Sequence, residues 1–217
     1  KVDFNNINVT PAASKALKWN SSANGFETGD LGGNMVLLST QTASSSATLS
    51  FASGIDSTYK EYIIKCIDIH PATNDTALTF QTDTGTNTSY NQTMTTTRFK
   101  AGQNEAGNYT VLGYETGSDQ AQGTSFQVLT QNVGNGNDEI LAGTLHIFEP
   151  SNTGYVSSNT TFVKHFLATF NTYQHGDATY NDFTAGYFNT TTAITRVRFK
   201  MASGNIDAGT FKLYGIL

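Results

Sequence analysis

Apolar and polar residues alternate with a period of two along much of the chain, most clearly in its last stretch, AITRVRFKMASGNIDAGTFKLYGI (193–216). Thr195, Val197, Phe199 and Met201 point one way, and Arg196, Arg198 and Lys200 the other. Phe211 and Leu213 repeat the dry side; Lys212 and Tyr214 repeat the wet one. This is the pattern of a strand with one face on a core and one in water. Between the arms, Ser203, Gly204, Asn205, Asp207 and Gly209 supply reversal chemistry, because glycine and Asn/Asp accept positive φ. The stretch is predicted to be a closing β-hairpin with its dry face packed on residues far upstream.

Upstream, the same reading predicts a series of short strands. MVLLSTQ and ATLSFAS, separated by TASSS, read as a hairpin. YKEYIIKCIDI (59–69) is apolar on both faces, which predicts a central strand covered on both sides and stopped at His70-Pro71. ALTFQTD, TTTRFKA, NYTVLGYE, TSFQVLTQ and EILAGTLHIFEP follow as further strands, with TGTNTSYNQT and NVGNGNDE as turns. TFVKHFLATF (161–170) fits helical spacing and a doubly buried strand; its threonines and strand-rich setting favour the strand. NTYQHGDATYNDFTAGYFNTTT reads as a long polar-aromatic connection. Residues 1–34, sparse in apolar side chains, read as an extended N-terminal arm or loop, leaving 35–217 as one domain. Nine or ten strands without βαβ alternation predict an all-β fold, a single antiparallel β-sandwich of jelly-roll type.

Composition agrees and narrows the function. The 217 residues are only 37% hydrophobic and 13% charged, with 12% aromatics, so a disordered chain is a poor match. A net charge of −5 lacks the basic footprint of nucleic-acid binding. No run has transmembrane length, so no membrane partner is expected. The single Cys66, within YIIKCIDI, reads as a small buried hydrophobe.

Candidate chemistry is thin. Asp68 and His70 share a strand face, as a base and its orienter do, but no serine nucleophile elbow accompanies them. His146, His165 and His175 lack metal-ligand spacing. DTGTN and GNGNDE lack the calcium-loop ladder. No pair among Glu105, Glu115, Asp119, Asp138 and Glu139 is selected for glycoside hydrolysis. No enzyme, metal or cofactor is therefore expected. Eight Asn-x-Ser/Thr triplets are read as a product of composition. Tyrosines among Asn, Thr and Gly suit sugar stacking or protein contacts, and Tyr155, Tyr173, Tyr180 and Tyr187 are the candidates for a glycan. Arg196, Arg198, Lys200 and Lys212 make a basic face on an acidic chain. It reads equally as edge protection or as a docking stripe for an acidic surface.

RVRFKMASGNIDAGTFKLYGI resembles the C-terminal segment of virion structural proteins of tailed, particularly marine, bacteriophages. GTLHIFEPSNTGYV, FVKHFLATFN and DSTYKEYIIKCIDIHPAT are similar to upstream segments of the same group, so the resemblance covers most of 35–217. It implies a capsid decoration, cement, fibre or tail component. Such a protein would be located in the virion, assembled in the host cytoplasm and often homotrimeric, with copies of itself and other virion proteins as partners. A host-surface carbohydrate-binding module is the alternative. The resembling segments carry no catalytic residue.

Overall fold

The computed structural model describes residues 15–22, 24–30, 34–152 and 163–217. The chain divides into two compact units, 1–34 and 35–217. In the first, β1 (Lys15–Trp19) pairs antiparallel with β2 (Phe26–Asp30), and Trp19 stacks on Phe26 with ring centroids 4.4 Å apart.

The second unit contains β3 (Met35–Ser46), β4 (Leu49–Phe51), β5 (Glu61–Pro71), β6 (Leu78–Thr84), β7 (Met94–Asn104), β8 (Thr110–Tyr114) and β9 (Gln127–Val128). It continues with β10 (Leu141–Phe148), β11 (Lys164–Gln174), β12 (Ala178–Phe188), β13 (Ile194–Met201) and β14 (Ile206–Ile216). Among the described residues these twelve strands form two antiparallel sheets, β3-β14-β5-β10-β11-β12-β7-β8 and β4-β13-β6-β9. Their inner faces share one apolar cluster: Phe80 of β6 meets Phe166 of β11 edge-to-face at 5.0 Å, and Phe199 of β13 lies 5.1 Å from Phe211 of β14. The fold is all-β and sandwich-like, and within TFVKHFLATF residues 164–170 form the start of strand β11, while 161 and 162 lie outside the described residues.

Three expectations are corrected. The closing hairpin does not form: β13 pairs with β4 and β6, whereas β14 pairs with β3 and β5 in the other sheet. Its Ser-Gly-Asn turn carries the chain between sheets. The expected dry face holds at Val197, Phe199, Met201, Phe211 and Leu213, all buried, but not at Thr195, because a register shift turns Ile194 inward in its place. The reason is that alternation fixes which face is dry and says nothing about which strand lies alongside. Likewise β3 and β4 lie in different sheets, so MVLLSTQ and ATLSFAS are not a hairpin. The supposed connection 171–192 contains β12, an eleven-residue strand paired along its whole length with β11 and β7. Its inner face carries Asp182 and Thr184, both buried, so no apolar alternation marks it in the sequence.

A bulge sets the end of β5. Asp68 has φ +52°, and across from it Gly209 has φ +122°, where a Cβ would lie 2.8 Å from the Asp68 carbonyl oxygen. Only glycine fits that approach without strain.

Candidate functional site

Inward positions of the eight-stranded sheet follow the core, which leaves its outer face defined by register. Leu37, Tyr214, Ile63, His146, Leu167, Ala185 and Thr97 stand side by side in one row across β3, β14, β5, β10, β11, β12 and β7. The next row runs Lys212, Lys65, Thr144, Thr169, Phe183, Phe99 and Tyr114 from β14 to β8. Met35, Leu37, Ile67, Phe99, Leu112, Tyr114 and Leu167 are exposed large hydrophobics on this face, and Leu112 reaches 79% exposure. β5 is therefore central within its sheet but uncovered outside, against the expectation of cover on both faces. Exposed apolar side chains gathered on one face make it the candidate interaction surface.

The rows differ in charge along their length. Lys212 and Lys65 face each other on β14 and β5, and Glu61 contacts His146 at 2.6 Å on β5 and β10. Beyond them, the outward positions from His165 to Asn171, Asn181 to Tyr187, Thr95 to Ala101 and Leu112 to Tyr114 include no Asp, Glu, Lys or Arg. Phe99 and Phe183 stack there at 4.8 Å, interplanar angle 12°. Beside them is a notch of about 250 Å³ whose walls include His165, Leu167, Tyr187, Thr95 and Thr97, with Ala185 and Gly186 also lining it. A residue larger than glycine at 186 would strike the Thr95 carbonyl at 2.6 Å and the Phe166 ring at 2.9 Å. The rim is polar: Asn189 donates to Gln122 at 2.6 Å, Gln122 to Thr95 at 2.7 Å, and Tyr114 to Asp119 at 2.7 Å.

The basic face is divided. Arg196, Arg198 and Lys200 lie together outside the four-stranded sheet, while Lys212 lies outside the other sheet. The three that remain together hold the loops crossing them. Arg196 Nε donates to the Gly85 carbonyl at 2.9 Å, Arg198 sits 3.8 Å over the Tyr90 ring, and Lys200 lies 4.6 Å over the Phe126 ring. Gln81, on the same face, reaches the carbonyls of Gln92, Thr124 and Ser125.

Nor are the glycan candidates gathered. Tyr155 lies outside the described residues. Tyr173 donates to Glu105 at 3.0 Å, and that hydrogen bond chiefly pushes its phenol up to about 12. Tyr180 is inward and buried, under Lys100 at 4.9 Å. Of the described candidates, only Tyr187 borders the notch. Among other tyrosines of the polar stretches, Tyr90 is buried and clamped by Asp83, which accepts its backbone N–H at 2.8 Å.

The histidines stand apart. His70 faces Asp207 at 3.6 Å rather than Asp68, His175 faces Asp75 at 3.4 Å, and His165 packs edge-on to Tyr187. Among the described residues no three His, Cys, Asp or Glu side chains are placed to hold a metal. Cys66 is buried and its thiol is pushed far up by burial.

One constellation was missed by sequence reasoning. Fully buried Arg98 pairs with buried Asp182 across β7 and β12, and also contacts Gln131 at 3.1 Å, Ser118 at 3.3 Å and Glu115 at 3.6 Å. Burial pushes the Asp182 carboxyl up to about 6 against the pull of Arg98. Lys100 completes a neutral four-charge cluster by meeting Glu115 at 3.1 Å. The two-residue spacing of Arg98 and Lys100 in TTTRFKA is the available signal, since it puts both cations on one strand face.

Compared with known proteins, the chain matches no protein-family model, no curated sequence and no solved structure.

Proposed function

We propose that this chain is a non-enzymatic structural protein of a bacteriophage virion, a capsid decoration, cement, fibre or tail component that acts through symmetric protein–protein contacts. The observation that carries the reading is the outer face of the eight-stranded sheet. It spreads exposed aliphatic and aromatic residues over a rigid surface, with charge confined to one end. Depletion of charge with enrichment of aromatics is what distinguishes the centre of a protein interface from ordinary surface. The phage setting comes from the resemblance of the segments within 35–217.

The finer fold reading belongs to the same proposal. β3-β14-β5-β10 facing β4-β13-β6-β9 is the strand order of an eight-stranded jelly roll, taking the strands in chain order. On this reading the β7–β8 and β11–β12 pairs are insertions that extend the first sheet. Jelly rolls serve shells and lectins alike, so the fold does not choose between them. The scattered surroundings of Tyr173, Tyr180 and Tyr187 favour the shell. Quantitative mass spectrometry of purified particles tests the role. A fixed stoichiometry per particle is expected; absence of the chain from particles overturns the proposal, and a specific glycan lost on Tyr187→Ala replaces it with the binding module.

A further inference from the structure

Resting on that reading, we infer that the four-strand extension β11-β12-β7-β8 is a self-association surface for a second copy of this chain. In that contact Leu112 of one copy seats in the notch over Ala185 of the next. Three observations converge on a partner that is itself uncharged. The patch has no formal charge at its outward positions between His165 and Tyr114, so an acidic or basic partner finds nothing to pair with. It carries a knob, Leu112 at 79% exposure on the edge strand, and a complementary hollow of about 250 Å³ with a largely apolar lining. A cavity of roughly 150 Å³ holds a benzene ring, so this notch accepts a leucine side chain with its neighbours.

Size agrees with that occupant. Three strands with about seven residues each and β8 with five, at about 4.8 Å spacing and about 3.3 Å per residue, give a flat footprint of roughly 400 Å². A biological interface clears about 1,000 Å² in total, or about 500 Å² from each partner, before side-chain relief is counted in the footprint. Knob and notch occupy different parts of the patch, so copies can join either reciprocally across a two-fold axis or head-to-tail in a heterologous contact. Heterologous contacts close into rings when the rotation allows, which is the geometry a homotrimer needs.

Cross-linking and sedimentation of the full chain test this together. Leu112→Cys and Ala185→Cys are made separately and mixed under a mild oxidant. Within one copy these positions are separated by β7, two strand spacings or about 10 Å sideways, beyond the reach of a disulfide. A disulfide-linked dimer confined to the mixture is expected. Leu112→Asp and Ala185→Trp should each weaken self-association roughly thirty-fold, as loss of a central contact does, with the melting temperature of the dilute, dissociated chain unchanged. Leu37→Asp, at the far end of the same face, should leave association intact. If Leu37→Asp dissociates the oligomer and Leu112→Asp does not, this patch is refuted while self-assembly stands. A chain that stays monomeric into the high micromolar range refutes the patch outright, and particle stoichiometry then judges the structural role separately.

Discussion

Arg198 stacks its guanidinium on the ring of Tyr90, with the central carbon 3.8 Å from the ring centroid, and its Nε donates to Ser50 Oγ at 2.8 Å. A cation held this way is part of the fold. It joins strand β13 to the loop after β6, whose backbone Asp83 and Arg196 also hold. A double-mutant cycle of Arg198→Ala with Tyr90→Leu should give a coupling of about 1 kcal/mol, within the range of cation–π contacts. Replacing Arg196, Arg198 and Lys200 with glutamate should lower the melting temperature of the isolated chain by several degrees. A triple variant that melts like the wild type would return these residues to the role of a free docking stripe.

Legibility in the sequence was uneven for a physical reason. Period-2 alternation reports which side chains enter a core, and it placed Val197, Phe199, Phe211 and Leu213 correctly. It is silent on partners, so the local turn chemistry of 203–209 suggested a hairpin where the chain changes sheet. It also fails where both faces of a strand are unusual. β12 has Asp182 inside and Phe183 outside, the reverse of the rule, and disappeared into a supposed connection. Ile67 and Leu167 look like core residues in sequence yet lie on the open face, at 37% and 52% exposure. On the proposed reading, that inversion is what a face covered by a partner leaves exposed in a single copy.

The Arg98–Asp182 pair makes an asymmetric prediction. Arginine does not shed its proton inside a protein, so Asp182→Leu leaves a buried cation and should cost about 3 kcal/mol. This is the low end for a broken buried pair, because Glu115 stands at 3.6 Å. Asp182 can instead take up a proton, which burial already favours, so Arg98→Met should cost less. The double variant Arg98→Met, Asp182→Leu should be more stable than Asp182→Leu alone, since an apolar replacement removes both desolvation costs. Urea melts of the four proteins decide it; additive losses would show that the two side chains are not coupled.

Gly143 of β10 tests the close packing of the central strands. A Cβ there would lie 2.4 Å from the Thr169 carbonyl oxygen and at similar distance from the Phe170 ring. The carbonyl belongs to the β11 ladder and cannot turn aside, so Gly143→Ala should destabilise by about 1–3 kcal/mol. Gly117, with open space around its Cβ position, is the control and should tolerate alanine. Equal midpoints for the two variants in chemical denaturation would mean that β10 can shift.

Lys164 opens β11 with its side chain buried and its ammonium donating to the Thr190 carbonyl at 2.8 Å. Burial lowers its pKa below the usual lysine value. The native chain therefore sheds this proton at lower pH than the unfolded chain, and stability from this group rises with pH up to about the unfolded value. Tyr173 acts oppositely: its phenol is raised by Glu105, so its share of stability is kept below the ordinary tyrosine value and lost as pH climbs toward about 12. Lys164→Met should raise the melting temperature at neutral pH by about 2–4 °C, equivalent to roughly 1 kcal/mol, and should flatten the rise of stability that ends near the ordinary lysine value of about 10.4. Tyr173→Phe should flatten only the fall at still higher pH. Thermal melts across that range separate the two, and a Lys164→Met variant that melts lower at neutral pH would show that the Thr190 hydrogen bond outweighs the burial of the charge.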